Sequence, residues 1–89
     1  MKKQAEQTKT YLLLSIQKAF KMLEKCETFN DFMKVQPYIL NIFRRSTRLI
    51  ALYNLNKDFH LTFNISCLIQ ATEAKHKICL DYTIRKILQ

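Results

Sequence analysis

The chain contains no glycine, and Pro37 is its only proline. Turns that require a positive φ angle are formed most easily by glycine, so this absence argues against a β-sandwich or β-barrel, which needs many tight turns. It also excludes a glycine-rich phosphate loop and a dinucleotide-binding fingerprint, because both bring the backbone close to a phosphate. The composition therefore favours a fold built from helices.

Long hydrophobic runs are absent as well. The longest run near the start, Tyr11 to Ile16, is much shorter than the roughly 18 residues of a transmembrane helix, and no small-residue cleavage site of a secretory signal follows it. The cysteines, Cys26, Cys67 and Cys79, are odd in number and not closely paired, which indicates reduced thiols. These features predict a cytoplasmic protein with no membrane partner.

The length and composition suit one small domain. The 89 residues are 48% hydrophobic, which permits a packed core and argues against wholesale disorder. No repeat, linker or low-complexity segment divides the chain. We therefore expect a single helical domain over residues 1–89.

The first 26 residues predict an amphipathic helix. Apolar or small side chains recur at helical spacing along one face, at Ala5, Thr8, Leu12, Ile16, Ala19, Leu23 and Cys26. The opposite face carries mainly lysine and glutamine, with Leu14 as an isolated hydrophobic residue.

A second helix is predicted to begin after Thr28, because Thr28 and Asp31 have the spacing of a capping box. Its apolar face consists of Phe32, Val35, Ile39, Ile42, Phe43, Ser46, Leu49, Ile50 and Tyr53. This face stays in phase through Pro37, which lacks a backbone N–H and crowds the preceding turn. The pattern predicts one helix kinked at Pro37, followed by a turn over residues 54–58 built on asparagine and aspartate.

Residues 59–68 allow two interpretations. Apolar and polar side chains alternate from Phe59 to Cys67, which is typical of a strand. The same residues also form two helical stripes, as in a helix buried between its neighbours. Because a single strand among helices has no partner, we predict a helix, with an α+β fold containing a strand at about 59–68 as the alternative.

A last helix is predicted from about Thr72 to Leu88, burying Leu80, Ile84, Ile87 and Leu88. The apolar stripe shifts between residues 71 and 74, which predicts a bend or break there. The expected architecture is all-α: an up-down bundle of three to four helices.

Positive charge is concentrated in the first two helices. The chain has 15 lysines and arginines against 7 acidic residues, for a net charge of +8, and no acid occurs between Phe32 and Lys57. One side of the second helix carries Lys34, Asn41, Arg44, Arg45 and Arg48. A row of like charges is self-repulsive unless a polyanion neutralises it, and the planar arginine side chain matches phosphate oxygens.

This pattern predicts a small basic helical protein that contacts the phosphate backbone of nucleic acid, either RNA or non-specific DNA. The principal phosphate contacts would be Lys34, Arg44, Arg45 and Arg48, and the secondary contacts Lys18, Lys21 and Lys25. Asn41 would add hydrogen bonds to the backbone or to base edges. The alternative is a protein-interaction or oligomerisation module, in which the arginines and Leu14, Leu52 and Leu55 bind an acidic partner protein. The high apolar content also predicts a homo-oligomer, with a dimer favoured.

Metal-binding and catalytic patterns are weak. The possible zinc ligands are His60, Cys67, His76 and Cys79, but their spacing matches no common zinc finger. The carboxylates of Glu27 and Asp31 are explained better by the start of a helix, where negative charge is favoured. We expect no metal site, no cofactor and no enzymatic activity.

Overall fold

The computed structural model describes residues 2–89 as three helices, which are α1 (Lys2–Glu24), α2 (Phe29–Tyr53) and α3 (Phe59–Leu88). A 3₁₀ turn, Leu55–Lys57, joins α2 to α3, and no strand occurs within residues 2–89. Each helix packs against the other two in an up-down bundle that measures 57 × 18 × 17 Å. The all-α prediction is confirmed with three helices, and the α+β alternative is wrong.

The boundaries of α2 are set by a capping box at its start and by an asparagine, in place of the usual glycine, at its end. The Thr28 hydroxyl accepts from the Asp31 N–H at 3.1 Å, and the Asp31 carboxylate accepts from the Thr28 N–H at 3.1 Å. This capping box satisfies N–H groups that the first helical turn leaves free. At the other end Asn54 takes the left-handed conformation, with φ 56°, which asparagine tolerates better than most residues.

Pro37 lies inside α2, and the helix continues through it as predicted. Proline removes one backbone hydrogen bond, which frees the carbonyl group of Met33. Both Met33 and Pro37 are exposed, so water can bind that carbonyl oxygen. The proline is therefore tolerated because it lies on the solvent side of the helix.

Polar contacts tie the helices together at both ends of the bundle. Asp58 caps α3 by accepting from the Leu61 N–H at 3.0 Å, and it pairs with the Lys9 ammonium of α1 at 2.8 Å. These two contacts hold the pKa of Asp58 below its ordinary value. At the opposite end the Phe29 N–H of α2 donates to the Thr83 hydroxyl of α3 at 2.8 Å.

The core lies along the axis between the three helices. Its buried hydrophobic residues are Leu12, Ile16, Ala19, Leu23, Cys26, Phe32, Ile39, Ile42, Leu61, Leu68 and Cys79. The predicted apolar faces of α1 and α2 supply the first eight of these, so both faces are confirmed. Ser46 is the one polar residue among the buried side chains, and its hydroxyl has no hydrogen-bond partner within residues 2–89.

In its first half and middle, α3 differs from two of the predictions. The helix is continuous from Phe59 to Leu88, so no break occurs at residues 71–74. Residues 70–77 contain no proline or glycine, and strong helix formers there keep the helix unbroken. Phe59 and Phe63 were expected between neighbouring helices, but both are exposed, and only the Leu61 and Leu68 side is buried.

The end of α3 also differs from the prediction. Ile84, Ile87 and Leu88 are exposed rather than buried, and Leu80 is only half-buried. Ile84 and Leu88 lie on the side of α3 opposite the buried Leu61, Leu68 and Cys79. In addition, Thr83 lies level with the start of α2, so the last turn of α3 extends past that helix. Among residues 2–89, no helix has a stretch both long enough and apolar enough to cross a bilayer.

Candidate functional site

The predicted contact residues all lie on the surface. Their side chains are exposed at Lys18, Lys21, Lys25, Lys34, Asn41, Arg44, Arg45 and Arg48. Among residues 2–89, the only ion pair joins Lys9 to Asp58, so none of the eight has a carboxylate partner there. The arginines of α2 therefore point to solvent with their charge uncompensated.

Contacts between α1 and α2 bring part of this set together. The Arg45 guanidinium donates to the Tyr11 hydroxyl, and the Lys18 ammonium lies 5.6 Å from the centre of the Tyr38 ring. Tyr11 and Lys18 are seven residues apart on α1, and Tyr38 and Arg45 are seven residues apart on α2. Each separation corresponds to about 10 Å along the helix, as expected for antiparallel packing. Lys18 and Arg45 thus belong to one continuous surface, which we call the α1–α2 face.

A shallow groove runs along the α1–α2 face. It is lined by Tyr11, Leu12, Ser15, Tyr38, Asn41, Ile42 and Arg45, all from α1 and α2. Its volume is about 170 Å³, well below the roughly 300–1,000 Å³ typical of small-molecule sites. The groove therefore suits contact with an extended surface better than enclosure of a small ligand.

The net charge of the chain resides in two acid-free segments. Residues 7–23 of α1 and 32–57 of α2 and the following turn contain eight basic residues and no acidic one. The rest of the chain has seven basic and seven acidic residues, so its net charge is zero. The positive field is therefore centred on α1 and α2 rather than spread over the protein.

The predicted residues are not equivalent, because acidic groups lie at one end of the α1–α2 face. Lys25 is flanked by Glu24 and Glu27 in the connection between the helices. The pKa of Asp31 is lowered mainly by hydrogen bonds from the N–H groups of Thr28 and Glu27, and the charge of Lys34 adds a smaller effect, which places this lysine near a carboxylate. Lys25 and Lys34 are therefore partly neutralised.

Away from that end, the basic residues of the α1–α2 face have no acidic residue beside them in the sequence. Arg44, Arg45 and Arg48 lie in the second half of α2, where neither helix supplies an acid. Lys18 and Lys21 lie in the acid-free part of α1. The strongest cationic part of the α1–α2 face is thus formed by these arginines together with Lys18.

Two tyrosines that line the groove were not predicted from the sequence. Tyr11 and Tyr38 contact Arg45 and Lys18, and both keep part of their rings accessible. The spacing of Tyr11, Ser15 and Lys18 places them on one side of α1, but it does not show that this side borders the arginines. Only the packing of α1 on α2 reveals the combination of aromatic and basic groups.

The three leucines proposed above to bind an acidic partner protein do not form one patch. Leu14 is 60% exposed and Leu52 is 68% exposed, whereas Leu55 packs partly buried against the core. Leu55 therefore offers less surface to a partner protein than Leu14 and Leu52 do. In the antiparallel register of Tyr11 and Lys18 with α2, Leu14 and Leu52 are about 15 Å apart along the helices.

The histidines and cysteines are dispersed. His60 lies exposed at the start of α3, while the ring of His76 packs against Phe32 at 5.1 Å between ring centres. Burial raises the pKa of the Cys26 and Cys79 thiols. Within residues 2–89, no three His, Cys, Asp or Glu side chains cluster closely enough to hold a metal ion.

Comparison with known proteins gives no relative: the chain matches no protein-family model, no curated protein and no solved structure.

Proposed function

We propose that this protein binds nucleic acid through the α1–α2 face, by contacts to the phosphate backbone. The observation that carries the proposal is the outward row of Arg44, Arg45 and Arg48 in a segment without acids. Solvated helix faces usually mix charges of both signs, whereas this face presents only one. A polyanion is the partner that removes the resulting repulsion.

The dimensions of the face fit a nucleic-acid backbone. Lys34 and Arg48 are 14 residues apart, which corresponds to about 21 Å along α2. A duplex rises about 3.4 Å per base pair, so this length covers about six base pairs. The arginine forks bind phosphate oxygens, and Lys18 adds a point charge from the neighbouring helix.

The groove adds polar and aromatic groups beside the charges. Asn41 can donate to a phosphate or sugar oxygen, and such contacts fix the position of a protein without reading sequence. The Tyr11 ring, nearly half exposed, offers a surface on which an unpaired base can stack. The face thus supports RNA binding or non-specific DNA binding, with affinity that depends strongly on salt.

A second candidate function is the binding of an acidic protein. It is supported by the exposed Leu52, which lies one turn beyond Arg48 on α2. Arginine beside an apolar side chain is typical of protein interfaces. The separation of Leu52 from Leu14 leaves only a small apolar contact, so we favour the nucleic-acid partner.

Fluorescence anisotropy with labelled oligonucleotides tests the proposal. Duplex RNA, duplex DNA and single-stranded RNA of about 20 nucleotides are each titrated at about 50 mM salt, with polyglutamate as the acidic protein probe. We expect binding to at least one nucleic acid that weakens steeply as salt rises, and much weaker competition by polyglutamate. Absence of nucleic-acid binding at about 50 mM salt, with polyglutamate still bound, would establish the acidic-protein candidate instead.

Charge reversal identifies the residues. Arg44→Glu with Arg48→Glu is expected to abolish nucleic-acid binding while helicity, measured by circular dichroism, is retained. Both side chains are exposed and unpaired within the described residues, so the fold does not depend on them. Binding that survives this double substitution would contradict the proposed site.

A further inference from the structure

The side of α3 that faces away from the bundle is apolar at both ends. Phe59 and Phe63 are 78% and 56% exposed at its start, and Ile84 and Leu88 are 44% and 80% exposed at its end. At 100° per residue these four positions lie within about 60° of one another around the helix. They therefore share one face, which we call the outer face of α3.

The spacing of these residues is symmetric about the middle of the helix. Phe59 and Phe63 are four residues apart, as are Ile84 and Leu88. The midpoint between Phe59 and Leu88 falls between Glu73 and Ala74, and so does the midpoint between Phe63 and Ile84. An antiparallel second copy of α3 would therefore place Phe59 against Leu88 and Phe63 against Ile84 at both ends. The outer face of α3 is complementary to itself under a two-fold rotation.

The polar residues between the two ends obey the same symmetry. Ser66 corresponds to Asp81, and Gln70 corresponds to Lys77, about the same centre. All four side chains are exposed on the outer face of α3. Each of these two pairs matches a hydrogen-bond donor with an acceptor. Glu73, which is exposed beside the symmetry centre, lies near its own copy and one turn from Lys77 of the same helix.

Surface area and charge both favour a second copy as the partner. The structure exposes 6781 Å², about 1,300 Å² more than the roughly 5,500 Å² expected for a compact monomer of this mass. A stable interface covers about 800 Å² of each partner. The outer face of α3 carries one lysine, Lys77, and two acids, Asp81 and the flanking Glu73, so its net charge is small, whereas the strongly positive α1–α2 face would repel its own copy.

We propose that the protein forms a two-fold symmetric dimer in which the outer faces of α3 pair in antiparallel orientation. The pairing buries the four apolar side chains of each copy. It places Ala74 near the symmetry axis, where its small side chain permits the two helices to approach closely. It leaves both α1–α2 faces on the outside of the dimer. The dimer does not depend on the proposed binding of nucleic acid.

Sedimentation analysis of the full chain without nucleic acid, at about 100 μM, tests association. We expect a dimer for the unmodified protein, whereas a monomer at this concentration overturns the proposal. Phe63→Lys or Ile84→Glu is expected to weaken the dimer by roughly tenfold at each of its two symmetric contacts, or about 100-fold in all. Both positions are exposed in the isolated chain, so its fold tolerates either substitution.

Combining the two substitutions makes the test specific to the pairing. In Phe63→Lys/Ile84→Glu the introduced charges are about 31 Å apart along one helix, so they attract each other only across the antiparallel dimer. The double variant is expected to regain dimerisation lost in each single variant. The control Leu14→Glu, which is equally exposed but lies on α1, should leave the dimer intact. Failure of the double variant to recover, or disruption by Leu14→Glu, overturns the assigned surface.

Cross-linking determines the orientation. Ala74→Cys should join two copies through a maleimide spacer of about 10 Å, because packed helices lie about 8–10 Å apart. The natural Cys67 residues of an antiparallel pair would be about 20 Å apart along the axis and should not be linked. Linkage through Cys67 would indicate a parallel pair, and no linkage through Ala74→Cys would show that the outer faces of α3 do not meet; either result contradicts the proposal.

Discussion

Removing two charges from the α1–α2 face provides the sharpest test of its role. In the variant Arg44→Gln/Arg48→Gln the net charge falls from +8 to +6. Both side chains are exposed and lack a carboxylate partner within residues 2–89. Glutamine has nearly the same helix propensity as arginine, so stability should change by less than about 0.5 kcal/mol.

The expected effect follows from the number of phosphates contacted. The three arginines, Lys18 and Lys34 provide about five contacts, which on duplex DNA gives a slope of log affinity against log salt of about −4.5. Raising salt fourfold, from about 50 to about 200 mM, should therefore weaken binding roughly 500-fold. With three contacts left the slope should be about −2.7, and the same rise in salt should weaken binding only roughly 40-fold.

A matched control separates local contacts from net charge. Arg85→Gln/Lys86→Gln also lowers the net charge by two, but these residues lie in the last turn of α3. Anisotropy titrations at several salt concentrations should give this variant nearly the slope of the unmodified protein. Equal slopes for both double variants would show that binding responds to total charge, and would refute the assigned site.

Other predictions concern stability and reactivity. Ser46→Ala removes a buried hydroxyl without a partner, so it should raise the free energy of unfolding by about 1 kcal/mol and Tm by about 4–8 °C. Because the pKa of Asp58 is lowered in the folded state, its stabilising effect should be complete above about pH 4 and disappear as pH falls through the folded-state pKa. Asp58→Asn should accordingly flatten the thermal stability profile below about pH 4. Of the three cysteines only Cys67 is partly exposed, so a thiol reagent should modify it first, and the buried thiols only on unfolding.

The helices of the first half were predictable because their signals agree. Thr28 and Asp31 form the expected capping box, and the apolar faces of α1 and α2 repeat at the helical period. The exposure of Arg44 and Arg48 follows from the same periodicity, since they lie opposite the residues that fill the core. For these elements local pattern and tertiary packing point to the same structure.

The end of α3 was not predictable in the same way. Ile84, Ile87 and Leu88 have the spacing of a buried face, yet they are exposed, because Ile84 and Leu88 lie on the side of α3 that faces away from the bundle and the last turn extends past the start of α2. Periodicity shows which residues share a side of a helix but not whether a neighbour is present on that side. The lengths of three helices and their register decide this, and both depend on long-range contacts.

The site was predictable in its charges but not in its assembly. Arg44, Arg45 and Arg48 follow from the sequence, because three basic residues within five positions share one side of a helix. The contact of Tyr11 with Arg45 joins residues 34 positions apart, and no local pattern indicates it. By contrast, the proximity of Lys34 to Asp31 follows from their spacing of three residues in the predicted helix.

Mapping bound nucleic acid onto the protein by NMR tests the central claim most directly. A duplex oligonucleotide is titrated into isotopically labelled protein, and backbone amide shifts are followed residue by residue. We expect the changes to cluster on α1 and α2 around Tyr11, Lys18, Asn41, Arg45 and Arg48, with α3 little affected. Changes confined to α3, or no changes at about 50 mM salt, would contradict the proposal that the α1–α2 face binds the phosphate backbone.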